Sequence, residues 1–301
     1  MSAHTRTAPN TLMGIALLVA AVGCFAVLDT TTKIISLSVP VLMAIWVRYA
    51  FQAIATSMAV LPKRGWALPP TAHPKFQCLR GVLLLTTSVF GFFSLKYMPV
   101  GEFTAIIMIT PLVMTLLASL TLGERVSVLR WFLVIGGFVG TLIIIRPGGD
   151  SFSWVTLLPL GLVISHAWFQ ILTSRLARTE DPVTMHFYTG WVGTLIASLA
   201  LPFAWTWLDS WTLWGGLALM GLMGTIGHFM MILAYARAPV STLTPFLYAQ
   251  IGFAMVGGWL AFSHVPDHLS LIGMGMIAVC GAAGAWLAVR ESRVIIGLTE
   301  S

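Results

Sequence analysis

The chain has 301 residues, of which 58% are hydrophobic and 9% charged; with a mean hydropathy of +0.92 it is excluded as a soluble globule, since soluble domains carry about 25% charge. A net charge of +6 and a pI near 9.6 would suggest nucleic acid in a soluble protein, but here the basic residues fall between apolar runs, which argues against a basic groove. Cys24, Cys78 and Cys280 have no CxxC spacing, so they define neither a disulfide framework nor a metal site.

Windows of about 19 residues, set against the roughly 20 needed to cross a hydrocarbon core, predict ten spans. They lie near 11–32, 40–61, 77–97, 100–121, 128–146, 154–174, 183–204, 211–236, 240–262 and 268–289. Each run is about twice the length of a barrel strand and lacks strict alternation, so the spans are helices. The expected fold is an all-α polytopic membrane protein.

The first span carries Asp29 and, four residues on, Lys33, a spacing that puts both on one helix face. Either they pair, or Asp29 is a proton-coupling carboxylate whose ionisation responds to burial and to an arriving solute. The second span holds Arg48. An intramembrane Arg costs about 2.5 to 17 kcal/mol against lipid, so it must face protein or water. Ile45, Arg48, Gln52, Ala55 and Thr56 share that face. Two roles remain open for Arg48: binding an anionic or carbonyl-rich part of a solute, or bonding backbone carbonyls or Asp29 to fix helix packing. Glu102, at the mouth of the fourth span beside Lys96, reads as an interfacial ion pair.

In the sixth span, His166, Gln170 and Thr173 are spaced i, i+4 and i+7, a polar stripe that avoids lipid. A lone intramembrane His is often only hydrogen-bonded to a neighbouring helix, but three aligned polar groups favour a cavity wall equally. Trp205, Trp207, Trp211 and Trp214 cluster around one loop as an interfacial belt. Trp46 and Trp168 sit deeper and are the tryptophans expected at a cavity. His228, Tyr248 and Gln250 follow, the last two separated by two residues and so unable to face the same way. Pro111 and Pro245 break backbone bonding inside spans, as hinges or as simple kinks.

With the N-terminus cytoplasmic, that side carries Arg6, Lys63, Arg64, Lys75, Arg80, Arg125, Arg130, Arg175, Arg178, Arg237, Arg290 and Arg293, while the opposite side keeps Lys33, Lys96 and Arg146. This asymmetry places both termini in the cytoplasm.

Punctuation reveals an internal repeat. Pro40-Val41-Leu42-Met43 matches Pro182-Val183-Thr184-Met185; Pro99-Val100 follows 59 residues after Pro40, and Pro239-Val240 follows 57 after Pro182. Gly123-Glu124 and Ser263-His264 close the next spans at equal distance, and Lys33 matches Arg175. Five spans is an odd number, so the second copy enters from the opposite face. The expected organisation is a cytoplasmic N-terminus (1–10), a five-helix unit (11–148), an inverted five-helix unit (149–290) and a cytoplasmic tail (291–301). Inverted repeats are the construction by which secondary transporters expose one central site alternately to either face.

The run Gly101 to Glu124, GEFTAIIMITPLVMTLLASLTLGE, resembles the fourth-span motif of the EamA branch of the drug/metabolite transporter superfamily. Lys33, Pro40, Arg48, Arg80-Gly81 and the segment from Pro239 to Asp267 fall at that family's spacing. The resemblance covers about 15–290 and implies a ten-helix inner-membrane carrier with both termini inside and a cavity between the halves. Within the family the wording is most similar to riboflavin and S-adenosylmethionine type carriers. His264 departs from the pattern, standing where the second copy often repeats a Glu.

The expected function is therefore secondary transport of a small organic metabolite, with lipid and protons as the other partners. A broad-specificity drug or amino-acid exporter of the same fold is the alternative. No GxxxxGK[ST] motor is present, and no cofactor is implied. A channel is disfavoured by the weakly polar span faces, and an intramembrane enzyme by the absence of HExxH, GxSxG or clustered histidines. The residues expected at the substrate are Arg48, Gln52, Trp46, His166, Trp168, Gln170, His228 and Tyr248, with Asp29, Lys33 and Glu102 for coupling or ion pairing.

Overall fold

The structure, a computed structural model, describes residues 11–36, 38–97, 106–124, 126–145, 157–262 and 267–299. Among these residues the regular structure is entirely helical. In chain order the α-helices are α1 (Thr11–Ile35), α2 (Val41–Val60), α3 (Pro74–Tyr97), α4 (Thr110–Thr121), α5 (Val128–Ile145) and α6 (Leu157–Leu176). They continue with α7 (Pro182–Ser198), α8 (Trp211–Tyr235), α9 (Val240–Leu247), α10 (Ala249–Phe262) and α11 (His268–Thr299).

Helix thus lies along every predicted run, with two differences. The ninth run is broken at Tyr248 into α9 and α10, because Pro245 inside α9 removes a backbone donor and crowds the preceding turn. The last helix continues to Thr299, past the expected end near 289. Among the described residues six segments are able, by length and composition, to cross a membrane: Thr11–Ile35, Val41–Val60, Pro74–Ser94, Leu157–Leu176, Trp211–Tyr235 and Val240–Ala261. Thr110–Thr121, Val128–Ile143 and Leu271–Gly284 are shorter apolar helices.

Local chemistry sets several boundaries. Asp181 caps α7, its Oδ2 accepting from the Thr184 backbone N–H at 2.9 Å, and Pro182 occupies the first turn, where its missing N–H costs nothing. Within the helices, Thr and Ser hydroxyls turn back to carbonyls four residues earlier, as Thr30, Thr31, Ser57 and Thr194 do. Their polarity is thereby satisfied without a neighbour.

The main contacts of α1 are with α8 and α10, those of α2 with α7 and α8, and those of α3 with α6 and α7; α4 packs on α6 and α9, and α5 on α11. The bundle is therefore interleaved, with helices from early and late in the chain alternating. Close approach is possible where α2 meets α7 because Gly190 has no side chain: a Cβ there would lie 2.9 Å from the Ala53 backbone nitrogen. Large apolar side chains such as Met58, Leu120, Phe132, Leu199, Leu260 and Val279 are exposed on the outside, the reverse of a soluble surface and what acyl chains require.

One charge departs from its expected place. Arg80, counted by sequence among the loop cations, is fully buried. It donates to Thr173 Oγ1 at 2.8 Å, to the Met185 carbonyl at 2.7 Å and to Thr189 Oγ1 at 2.6 Å, and its guanidinium lies 5.1 Å from the Phe169 ring centre. It ties α3 to α6 and α7 rather than marking a membrane face.

Candidate functional site

A cavity of about 170 Å³ lies among α1, α2, α3, the start of α4 with the residues just before it, α6, α8, the end of α9 and α10. Its wall follows helical periodicity. From α1 come Phe25, Leu28, Asp29 and Thr32, and from α3 come Leu84, Thr87, Ser88, Gly91 and Phe92, each a single i, i+3, i+4, i+7 stripe. On α1, α3, α4 and α6 the lining residues sit towards the ends at Ile35, Tyr97, Thr110 and Leu157, so the cavity occupies the half of the bundle away from Thr11. The other half holds an apolar core. There Leu18, Met114, Leu176, Met185, Tyr235 and Leu243 belong to one buried apolar cluster.

Hydrogen bonds across helices reinforce that closed end. Glu124, just after α4, accepts from the Val240 N–H at 3.2 Å and the Ser241 N–H at 2.9 Å, satisfying first-turn donors of α9. The same carboxylate meets Arg178 Nη2 at 3.4 Å. Glu180 accepts from the Ala72 N–H at 3.0 Å, joining the segment before α3 to the one after α6.

Arg48 borders the cavity but is 7% exposed. Its Nη1 donates to Ser88 Oγ at 2.9 Å and its Nη2 to His228 Nε2 at 2.8 Å, while its guanidinium lies 5.3 Å from the Tyr49 ring centre. Arg has donors only, so His228 must accept at Nε2 and, as a neutral ring, carry its proton on Nδ1. Ser88 and His228 are each eleven residues before Pro99 and Pro239, the prolines expected from the sequence to punctuate two repeats. One guanidinium bridges α3 and α8 through them.

Asp29 is enclosed by the bundle yet accessible, because it borders the cavity. Its Oδ2 accepts from Gln250 Nε2 at 2.9 Å. Gln250 is thus the member of the Tyr248/Gln250 pair that faces the cavity, and it donates to Asp29. Tyr248 turns the other way, against Gly137, in a separate buried cluster with Met108, Val134, Ile251 and Ile277.

The remaining sequence-selected residues divide. His166 lines the cavity and pairs through Nε2 with Gln170 Nε2 at 3.0 Å; Gln170 is buried behind it. Thr173 completes the stripe as an acceptor for Arg80. Gln52 lies in the α2–α7 seam, donating to the His186 carbonyl at 3.0 Å, outside the cavity wall. Trp46 donates to Ser198 Oγ at 2.8 Å and packs edge-on against Trp205, so it joins the interfacial cluster. Trp168 is 43% exposed on the outer surface. Lys33 is exposed and does not line the cavity. Glu102 and His264 lie outside the described residues, as does the side chain of Lys96.

Sequence reasoning missed Phe25, Thr32, Thr87, Ser88 and Phe92. Thr and Ser in apolar helices commonly bond their own backbone, so they give little signal alone. The one available clue was the equal distance of Ser88 and His228 from the two repeat prolines. No group of three or more His, Cys, Asp or Glu able to hold a metal occurs among the described residues.

Residues 12–146 match the EamA-like transporter family. A riboflavin transporter of Vibrio cholerae is 31% identical over 196 residues, an alignment spanning 65% of each chain. An S-adenosylmethionine uptake transporter of Rickettsia bellii is 27% identical over 210 residues, 69% of this chain and 71% of that one. The pseudopaline exporter CntI of Pseudomonas aeruginosa is 26% identical over 272 residues, 88% and 93% of the two chains. A crystal structure at 18% identity superposes with a TM-score of 0.77 over 92% of this chain and 98% of the other, a likeness of fold.

Proposed function

We propose that this chain, whose residues 12–146 match the EamA-like transporter family and which is 31% identical to a riboflavin transporter over 196 residues, is a member of that family and a secondary carrier moving a small organic metabolite across the inner membrane by alternating access. The observation that carries this reading is the cavity, open in one half of the bundle and backed in the other by an apolar plug with the Glu124 and Glu180 contacts. A carrier needs such a site with one closed end at a time.

The ten-span inverted organisation, with units at 11–148 and 149–290, is part of the proposal. Exchanging α1 for α6, α2 for α7, α3 for α8, α4 for α9 and α10, and α5 for α11 turns the α1–α8 packing into α6–α3 and the α2–α8 packing into α7–α3. The α2–α7, α4–α9 and α5–α11 packings map onto themselves. That symmetry supports two units related by a pseudo-two-fold axis, with Arg48 and its two bonds near the axis. Arg48 then acts as a brace between α3 and α8, and Asp29, the one acidic lining residue among the described residues, is the candidate coupling carboxylate.

Purified protein in proteoliposomes tests the reading, with riboflavin and S-adenosylmethionine as the first solutes because relatives carry those names. Saturable uptake accelerated by unlabelled solute on the opposite side is expected. Flux linear in concentration, without counterflow, would indicate a channel and overturn the carrier reading. A pH gradient that drives uptake in the wild type but not in Asp29→Asn would assign coupling to that carboxylate.

A further inference from the structure

The hydrogen-bonding character of the cavity wall is lopsided. Thr87 donates its proton to the Leu83 carbonyl and Thr110 to the Ile107 carbonyl, so these two hydroxyls offer only lone pairs to the cavity, while Ser88 donates to the Leu84 carbonyl and bonds both Arg48 and Tyr49, which leaves it saturated. Thr32 donates to Met220 Sδ. Both terminal nitrogens of Arg48 are engaged by Ser88 and His228, and the side chain is 7% exposed. One amide N–H of Gln250 goes to Asp29. Beside the His166 ring, whose Nε2 meets the Gln170 amide, the wall presents the lone pairs of Thr87 and Thr110 together with an accessible carboxylate at Asp29. Phe25 and Phe92 supply aromatic surface in the same wall, and ring faces attract cations.

We infer that the cavity selects solutes bearing a cationic or multiply N–H-donating group that docks on Asp29, and that Arg48, although the most conspicuous charge in the sequence, is a structural brace rather than an anion receptor. The inference rests on the reading of this cavity as the solute site, but it concerns binding preference and is measured without transport. A solute carrying a carboxylate or phosphate in that position would meet a like charge at Asp29. An ammonium there gains charge-assisted hydrogen bonds, which are about twice as strong as neutral ones.

The test uses three phenyl compounds of matched size, namely phenethylamine, 2-phenylethanol and 3-phenylpropionate, titrated calorimetrically into the full-length purified protein. The amine is expected to bind at least about tenfold more tightly than the alcohol, equivalent to about 1.4 kcal/mol, with the carboxylate weakest. Asp29→Asn, which keeps the shape and an acceptor for Gln250, should reduce the amine-to-alcohol ratio below about threefold, and Asp29→Glu should restore it. Thermal melts of both variants establish that they are folded. Equal binding of amine and alcohol, preference for the carboxylate, no measurable binding of the amine, or a preference that survives in Asp29→Asn would each overturn the inference. Saturable flux without amine preference would leave the carrier reading standing and remove the charge selection; amine preference without flux would do the reverse.

Discussion

Replacing Gly190 by Ala probes the seam on which the position of Arg48 depends. An added Cβ would lie 2.9 Å from the Ala53 nitrogen, 3.1 Å from its Cα and 3.2 Å from the Gln52 carbonyl carbon. All three are backbone atoms of α2, so no rotamer change relieves the contact. Restoring ordinary separations, which begin near 3.4 Å, requires α2 and α7 to part by about half an ångström. A gap of that order forfeits a quarter to a half of each dispersion contact it opens, and overpacking of this kind costs about 1–3 kcal/mol. Ala regains about 1 kcal/mol of helix propensity, so the net loss is about 0–2 kcal/mol. Gly215→Ala is the internal control, since its Cβ would meet nothing within 4 Å; it should be neutral or stabilising by up to about 1 kcal/mol. Thermal unfolding of the two variants in the same detergent reads the difference. A Gly190→Ala protein melting at or above Gly215→Ala would refute the packing argument.

Three further outcomes are expected. Arg48→Lys keeps the charge but not the fork, so it cannot hold Ser88 and His228 together; stability should fall by about 1.5–3 kcal/mol, and by less in a His228→Ala background, a coupling that a double-mutant cycle measures. Glu124→Gln weakens the cap on α9 by about 0.5–2 kcal/mol. In a protein without its native cysteines, a Thr244→Cys reporter inside the closed end should then react with a maleimide roughly two- to thirtyfold faster, and an unchanged rate would remove Glu124 from the closure. Arg80 has no carboxylate within ion-pair distance among the described residues. Arg80→Met should therefore unfold at the wild-type temperature or above, as replacement of buried ionic groups by packed apolar ones often does, whereas Arg80→Ala should unfold lower because it leaves a void.

The sequence by itself determined the membrane, the helices and much of the organisation, because each of these follows from local rules. Apolar runs of about twenty residues have one solution in lipid, and the prolines at 40, 182 and 239 stand at the starts of α2, α7 and α9. The polar stripe of α6 and the inward turn of Arg48 were legible for the same reason: lipid leaves a charged or polar face nowhere else to go. Tertiary structure decided which inward residues meet an open cavity and which meet another helix. Periodicity assigns Gln52 and Arg48 to one face, but only the packing of α7 on α2 covers Gln52, and only the joint placement of Ser88 and His228 occupies the guanidinium. Trp168 and Trp46 went outward because tryptophan is tolerated at lipid, interface and cavity alike, so residue type does not choose among them. Asp29 remained accessible because the break between α9 and α10 sets Gln250 beside it while Tyr248 fills the other side, a relation between residues 221 positions apart in the chain that no local pattern encodes.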